Sequence, residues 1–357
     1  MDQPSSTPRR RRLWFDLTAL SLVGVLLIAA LGASGIVLYK EFYGPAAFVT
    51  RYLDMLSTGR AADALRVPGV SIDYSALEES GIESTASEAL LRQAALAPLS
   101  DVEVVSTELS DDITTVTVSY VAGSHSGTTA FQVEQDGWVG VTPNWRFTRS
   151  PLAAVSLTVL GADRFAVNGF EIDRRQVAPE GAEADPAAPL PLLVFTPGLY
   201  SVTVDTPIST APGVSILADS PLTQTPIELQ TTPTEEFIGV VQTRVEEFLT
   251  ECTTQQVLQP TACPFGLEVR NRIVEPPVWS IASQPAVTVE PDGAYWKIPA
   301  TDAVAHIEVD IQSLFDGSVQ HVSEDVPFRV NGTIAILPDG SASIRVGSPG
   351  EGSPGEG

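Results

Sequence analysis

Three histidines and two cysteines are the residues of this 357-residue chain whose types most readily support chemistry. Nucleophilic catalysis needs a serine or cysteine with a base in hydrogen-bond reach, and the nearest local pattern is Gly123-Ser124-His125-Ser126-Gly127. A nucleophile elbow, G-x-S-x-G, centres a serine on a strand-to-helix turn; here the centre is His125 and both flanks read as strands, so a hairpin loop is expected. His306 and His321 stand 15 residues apart in β-type sequence, and a metal site there would need folding to deliver both together with a carboxylate. The single G-x-G-x-x-G match, Gly350 to Gly355, has neither a preceding strand nor a following helix, and no P-loop pattern is present. Glu78-Glu79 and Asp111-Asp112 read as solvated carboxylates, and no EF-hand loop occurs. The expectation is no catalytic residue, no metal ligand and no cofactor.

Cys252 and Cys263 are separated by ten residues. In an exported chain one disulfide between them closes a short loop, worth about 2–3 kcal/mol in the chain-entropy model. A pair of free thiols or a metal site competes, but zinc wants four ligands and no histidine lies near.

The elements that would position these groups begin with residues 17–39, 23 residues without a charge. At 1.5 Å per residue they make about 34 Å of helix, enough to cross a ~30 Å hydrocarbon core. Arg9, Arg10, Arg11 and Arg12 precede the stretch, with Trp14 and Phe15 at interface depth. The positive-inside rule then keeps residues 1–12 in the cytoplasm and exports everything after Tyr39. A cleaved signal peptide is the competing reading, since Ala33-Ser34-Gly35 offers small residues at cleavage spacing.

Charge follows the same division. The whole chain carries −24, which argues against a nucleic-acid partner. Without residues 1–40 it keeps 15 basic and 42 acidic side chains, or −27, a charge that disfavours anionic wall polymers. Lysine occurs only at positions 40 and 297, a bias that suits a GC-rich bacterial genome.

Seven segments are expected: a basic tail (1–12), the membrane helix (13–40), an α+β domain (43–150), a small all-β sandwich (151–222), a linker (223–233), a second α+β domain with the cysteine loop (234–346) and a low-complexity tail (347–357). In the first α+β domain Phe48, Tyr52, Met55 and Leu56 form a helical stripe that stops at Gly59. Short helices are expected at 61–65 and 87–96, then alternating strands at 102–109, 113–123 and 128–141, with Asp136-Gly137 as a tight hairpin. Sandwich strands are read at 154–159, 165–167, 192–195 and 200–204, with Asn168-Gly169 and Pro197-Gly198 as turns. The second α+β domain opens with a helix at 235–249 whose apolar side is Val240, Val241, Val245, Phe248 and Leu249, with Thr234 as its cap. Strands follow at 267–273, 286–289, 295–298, 303–311, 326–336 and 342–346, turning at Asp292-Gly293, Asp316-Gly317, Asn331-Gly332 and Asp339-Gly340.

The helix AAFVTRYLDML (46–56) with GRAADAL (59–65), the DGW of 136–138, the VNG of 167–169 and the PGLY of 197–200 give the chain a family likeness. It resembles single-pass bacterial envelope proteins, the teicoplanin-resistance-associated TcaA-like architecture, whose outer part strings nuclear-transport-factor-2-like cone domains with small Ig-like domains. That pattern begins with a cysteine-rich zinc ribbon, whereas residues 1–12 hold no cysteine. The resemblance implies two cone-fold α+β domains flanking the sandwich, and a cone fold often encloses an apolar pocket. Trp138 and Trp145 in the first domain, with Phe147, and Trp279 and Trp296 in the second, with Tyr295, are the candidates for lining it; hydrophobic core is their competing reading.

The function expected is a membrane-anchored extracytoplasmic binding or structural protein of the bacterial cell envelope, single-pass in the plasma membrane. Its partners would be the bilayer through residues 17–39 and a cell-wall component or another envelope protein, with no nucleic acid. The alternative is an envelope enzyme that uses a cone-fold pocket with His125 or His306 as base.

Overall fold

The computed structural model describes residues 20–22, 41–71, 73–140, 142–337 and 341–347. The expected membrane span lies outside them except for residues 20–22, which are helical with Leu20 and Leu22 exposed. Arg9 to Arg12, the Asp339-Gly340 turn and residues 348–357 lie outside them as well. Among the described residues no helix is long and apolar enough to cross a membrane. The described chain is mostly β, with few helices, and divides into two compact units.

The first unit comprises Met1–Asp73, Pro98–Pro151 and Asp219–Pro221. Helix α1 (Pro45–Ser57) begins with proline in its first turn, where the missing N–H costs nothing, and ends before Gly59 at φ +72°. Its buried face is Phe48, Val49, Tyr52, Leu53 and Leu56, with Met55 at the edge. After the short α2 (Ala61–Ala64), four strands form an antiparallel meander: β1 (Leu99–Ser110), β2 (Ile113–Ala122), β3 (His125–Val139) and β4 (Thr142–Phe147). Strand β2 alternates strictly between buried and half-buried positions, the pattern of a sheet with one face on a core. The core is aromatic. Tyr52 meets Phe131 and Phe147 edge-on, with ring centroids 6.1 and 5.2 Å apart, and Phe48 lies 5.0 Å from Phe147.

Asp136-Gly137 does not make the expected hairpin turn. Strand β3 runs on to Val139, and Gly137 at φ +79° sits in a bulge between Gln135 and Trp138. An Asp-Gly pair supplies the positive φ that either a two-residue turn or a bulge requires.

The second unit comprises Tyr74–Ala97, Leu152–Ala218 and Leu222–Gly357. It takes in α3 (Tyr74–Glu79) and the stretch expected as a helix at 87–96, which instead makes two 3₁₀ turns, Glu88–Leu90 and Gln93–Ala95. Pairing in the fold explains the difference. Ser87 donates its N–H to Pro191 O (2.9 Å) and accepts from Leu193 N–H (2.8 Å), while Leu90 and Ala95 are buried in the sandwich core.

The sandwich strands are β5 (Leu152–Leu160), β6 (Arg164–Val167), β7 (Phe170–Asp173), β8 (Leu190–Phe195), β9 (Gly198–Asp205), β10 (Ser209–Ala218), β11 (Gln224–Gln230) and β12 (Thr232–Pro233), with the four-residue α4 (Arg174–Val177) after β7. They form sheets ordered β12-β10-β9-β6-β7 and β11-β5-β8, antiparallel except for the β11–β5 pair. Residues 223–233 are therefore strands rather than a linker. Ile227 and Leu229 are buried, and Pro226 is tolerated because β11 is an edge strand. At the β8–β9 corner, where the Thr196–Pro197 bond is cis, the fully buried Tyr200 hydroxyl donates to Phe195 O (3.0 Å) and accepts from Phe195 N–H (2.9 Å). Burial pushes its pKa well up.

Helix α5 (Glu235–Thr253) opens the last part, with the Thr234 hydroxyl accepting from Phe237 N–H at 3.1 Å. Its buried stripe is Phe237, Val241, Val245, Leu249 and Cys252. Val240, expected on that stripe, is half exposed, because the i, i+4 ladder from Phe237 carries it off the core face. A curled six-stranded sheet covers the helix: β13 (Arg272–Ile273), β14 (Val278–Ser283), β15 (Glu290–Asp292), β16 (Tyr295–Gln312), β17 (Val319–Ile336) and β18 (Ala342–Gly347).

Three strand expectations change here. Only the last two residues of 267–273 are strand, and 286–289 packs Val287 and Val289 into the core without joining the ladder. Segments 295–298 and 303–311 are one strand, β16, with a bulge between Ile298 and Thr301. Asn331-Gly332 lies inside β17 instead of turning: a Cβ on Gly332 would sit 2.6 Å from Arg345 O, so glycine permits close strand approach there. Cys252 and Cys263 are bonded, with Cα atoms 5.8 Å apart.

Candidate functional site

The first unit contains a cleft of about 450 Å³ between α1, the segment after α2 and the β3–β4 hairpin. Helix α1 presents Phe48, Tyr52 and Met55 to it at i, i+4 and i+7, which gives an apolar floor. Pro68 closes one side because Phe147 N–H donates to Pro68 O at 3.0 Å. The next residue must be glycine, since a Cβ on Gly69 would lie 2.2 Å from Phe147 O and the backbone there has φ +84°. Trp145 forms the opposite wall and donates its indole N–H to Tyr43 O at 2.8 Å.

Polar groups gather at the rim. Arg66 pairs with Asp63 at 3.3 Å, and Arg51 makes no ion pair among the described residues. Asn144 and Thr142 add amide and hydroxyl groups. Among the described residues no histidine, cysteine or serine lines the cleft, and the lining carboxylate, Asp63, is held by Arg66. Such a site can grip a partly apolar, anionic group through dispersion and an arginine.

The four tryptophans expected at pockets separate. Trp145 lines the cleft, and Trp138 stands exposed at the β3–β4 tip opposite Pro143. Trp279 is core, 4.9 Å from Phe265, with its indole N–H donated to Val257 O at 2.8 Å. Trp296 is fully buried beneath Gly161, where a Cβ would come within 2.7 Å of the ring. Sequence reasoning did not single out Arg51, Arg66 or Asn144. The position of Arg51 beside the 48/52/55 stripe was an available signal, but nothing local tied 43–68 to 139–145.

The histidines lie elsewhere. His125 is exposed at the start of β3, after the Gly123-Ser124 turn, with Ser124 Oγ 3.4 Å from its Nδ1. His306 and His321 share the outer face of the β16–β17 hairpin, each across from an aspartate in register. His306 Nδ1 is 2.7 Å from Asp325 Oδ1 and its Nε2 is 3.2 Å from Ser323 Oγ; His321 Nδ1 is 2.7 Å from Asp310 Oδ1. Among the described residues no three His, Cys, Asp or Glu side chains converge to hold a metal. Comparison with protein-family models, curated proteins and solved structures finds no match.

Proposed function

We propose that this protein is a membrane-anchored, extracytoplasmic binding or structural protein of the bacterial envelope. Residues 17–39 cross the plasma membrane once and the basic tail stays inside. One observation carries the reading: the Cys252–Cys263 bond lies far downstream of an apolar stretch fronted by four arginines, and such bonds persist in oxidising compartments. The two helix-on-sheet parts are read as cone domains of the nuclear-transport-factor-2-like kind and the sandwich between them as Ig-like. The cleft of the first unit is the binding site, and Arg51 at its rim suits a carboxylate on a wall peptide or an envelope protein, in place of the polyanionic wall polymers that the exported charge repels.

A phosphatase reporter fused after Gly347 should be active and a cytoplasmic β-galactosidase reporter at the same place inactive. The reverse pattern would overturn the topology. Arg51→Glu should abolish whatever binding the full chain shows to isolated envelopes; unchanged binding would remove the cleft from the proposal.

A second reading, an envelope hydrolase, is favoured by the Ser323–His306–Asp325 contacts, which have the order of a nucleophile, base and orienting carboxylate. A fluorophosphonate probe should then label the chain, and Ser323→Ala should remove the label. Absence of labelling leaves the binding reading alone.

A further inference from the structure

The first unit exposes an unusual concentration of large apolar side chains at one place. Phe42, Tyr43, Trp138 and Val139 are 63, 45, 62 and 69% exposed. Phe42 and Tyr43 end the helical turn 41–43, and the other two are the last residues of β3, paired with Pro143 and Thr142 at the start of β4. Tyr43 and Val139 belong together in space, since Trp145 of that hairpin holds Tyr43 O and Tyr43, Val139 and Trp145 line the same cleft; Phe42 and Trp138 are their chain neighbours. The tip also outruns its sheet. Ile113, the first residue of β2, lies opposite Glu134, so residues 135–139 project past it.

Tyr43 follows the end of the apolar stretch at Tyr39 by four residues. That places it about 6 Å beyond the hydrocarbon if the chain is helical and at most about 14 Å if extended. The headgroup layer on each face of a bilayer is about 5–7 Å thick, and tryptophan and tyrosine concentrate there because each ring is apolar with a polar edge.

We propose that the β3–β4 tip, with Phe42 and Tyr43, is a lipid-facing seat by which the first unit rests on the surface of its own membrane. Trp138 and Val139 insert at headgroup depth. The proposal rests on the anchor at residues 17–39.

The test uses the full chain, whose two natural cysteines are bonded to each other, so an added thiol takes a label alone. Val139→Cys and Ser124→Cys are each labelled with an environment-sensitive fluorophore; Ser124 is exposed at the opposite end of β3. Both are placed in phosphatidylglycerol–phosphatidylethanolamine vesicles carrying a headgroup spin label. The expected result is co-flotation resistant to alkaline carbonate, blue-shifted emission at 139, and quenching several-fold greater at 139 than at 124. An anchored protein with equal, water-like signals at both positions overturns the seat and leaves the anchor standing. Blue-shifted emission at 139 without quenching shows a protein covering the tip and overturns it equally. Failure to float removes the anchor and the seat together.

Discussion

The molecule twice packs one helix against an antiparallel sheet, and the two versions are secured differently. Helix α1 starts at Gly44 without a side-chain cap and relies on an aromatic core of Phe48, Tyr52, Phe131 and Phe147. Helix α5 is held at both ends, by the Thr234 cap with Glu235 and Glu236 in its first turn, and by the disulfide at Cys252. The solvent faces differ too: α1 turns Arg51 toward an open cleft, whereas α5 carries Glu246, Glu247 and Glu251 among threonines. The helix without a cap or a covalent staple borders the cleft, and the stapled one belongs to a core built around Trp296. The capped, disulfide-linked helix and the cleft-bearing helix thus belong to different units.

Core truncations put that separation under the greatest strain. Phe147→Ala and Trp296→Ala should each cost about 3–5 kcal/mol. In calorimetry each should lower the melting transition of its own unit only; one shared transition displaced by both would show the two units to be a single cooperative body. Reduction of the disulfide, or the Cys252→Ser/Cys263→Ser double variant, comes next. A loop of this length is worth about 3 kcal/mol in the entropy model, so urea unfolding should lose that amount in the second unit with the first unaffected. Tyr200→Phe removes two hydrogen bonds at the β8–β9 corner and should cost about 1–2 kcal/mol. The same group sets an alkaline limit. Because the folded pKa is raised, its contribution is complete below the unfolded value of about 10 and is lost as pH rises above it. Tyr120 in the first unit is raised by burial in the same direction, so Tyr200→Phe should blunt the alkaline loss in the second unit alone. Thr234→Ala gives the smallest effect, about 1 kcal/mol, read as a lowered midpoint of the second transition.

The stripes of α1 and α5, the β2 alternation and the Asn168-Gly169 hairpin were legible because each depends on residues within a few positions of one another. Where long-range pairing competes with local preference, the sequence misleads. Residues 87–96 have helical spacing, yet Ser87 exchanges hydrogen bonds with the β8 strand some hundred positions away, and the helix gives way to 3₁₀ turns. Gly137 and Gly332 carry the same turn-forming pairs as Gly293, but one makes a bulge and one admits a crossing carbonyl. Tryptophan type alone did not separate Trp145, on a cleft wall, from Trp296, at the bottom of a core.

Local spacing is enough for a helix to declare its buried face, because 3.6 residues per turn brings i and i+4 together without help. The pairing of the two cysteines was legible from their number together with the export expected of the chain. The cleft needed more. Its floor comes from residues 43–55 and its far wall from Val139 and residues 142–145, and a Tyr43 carbonyl meets a Trp145 indole only after four strands have paired. Hydrogen-bond register across those strands, which no single segment encodes, brings the two walls together.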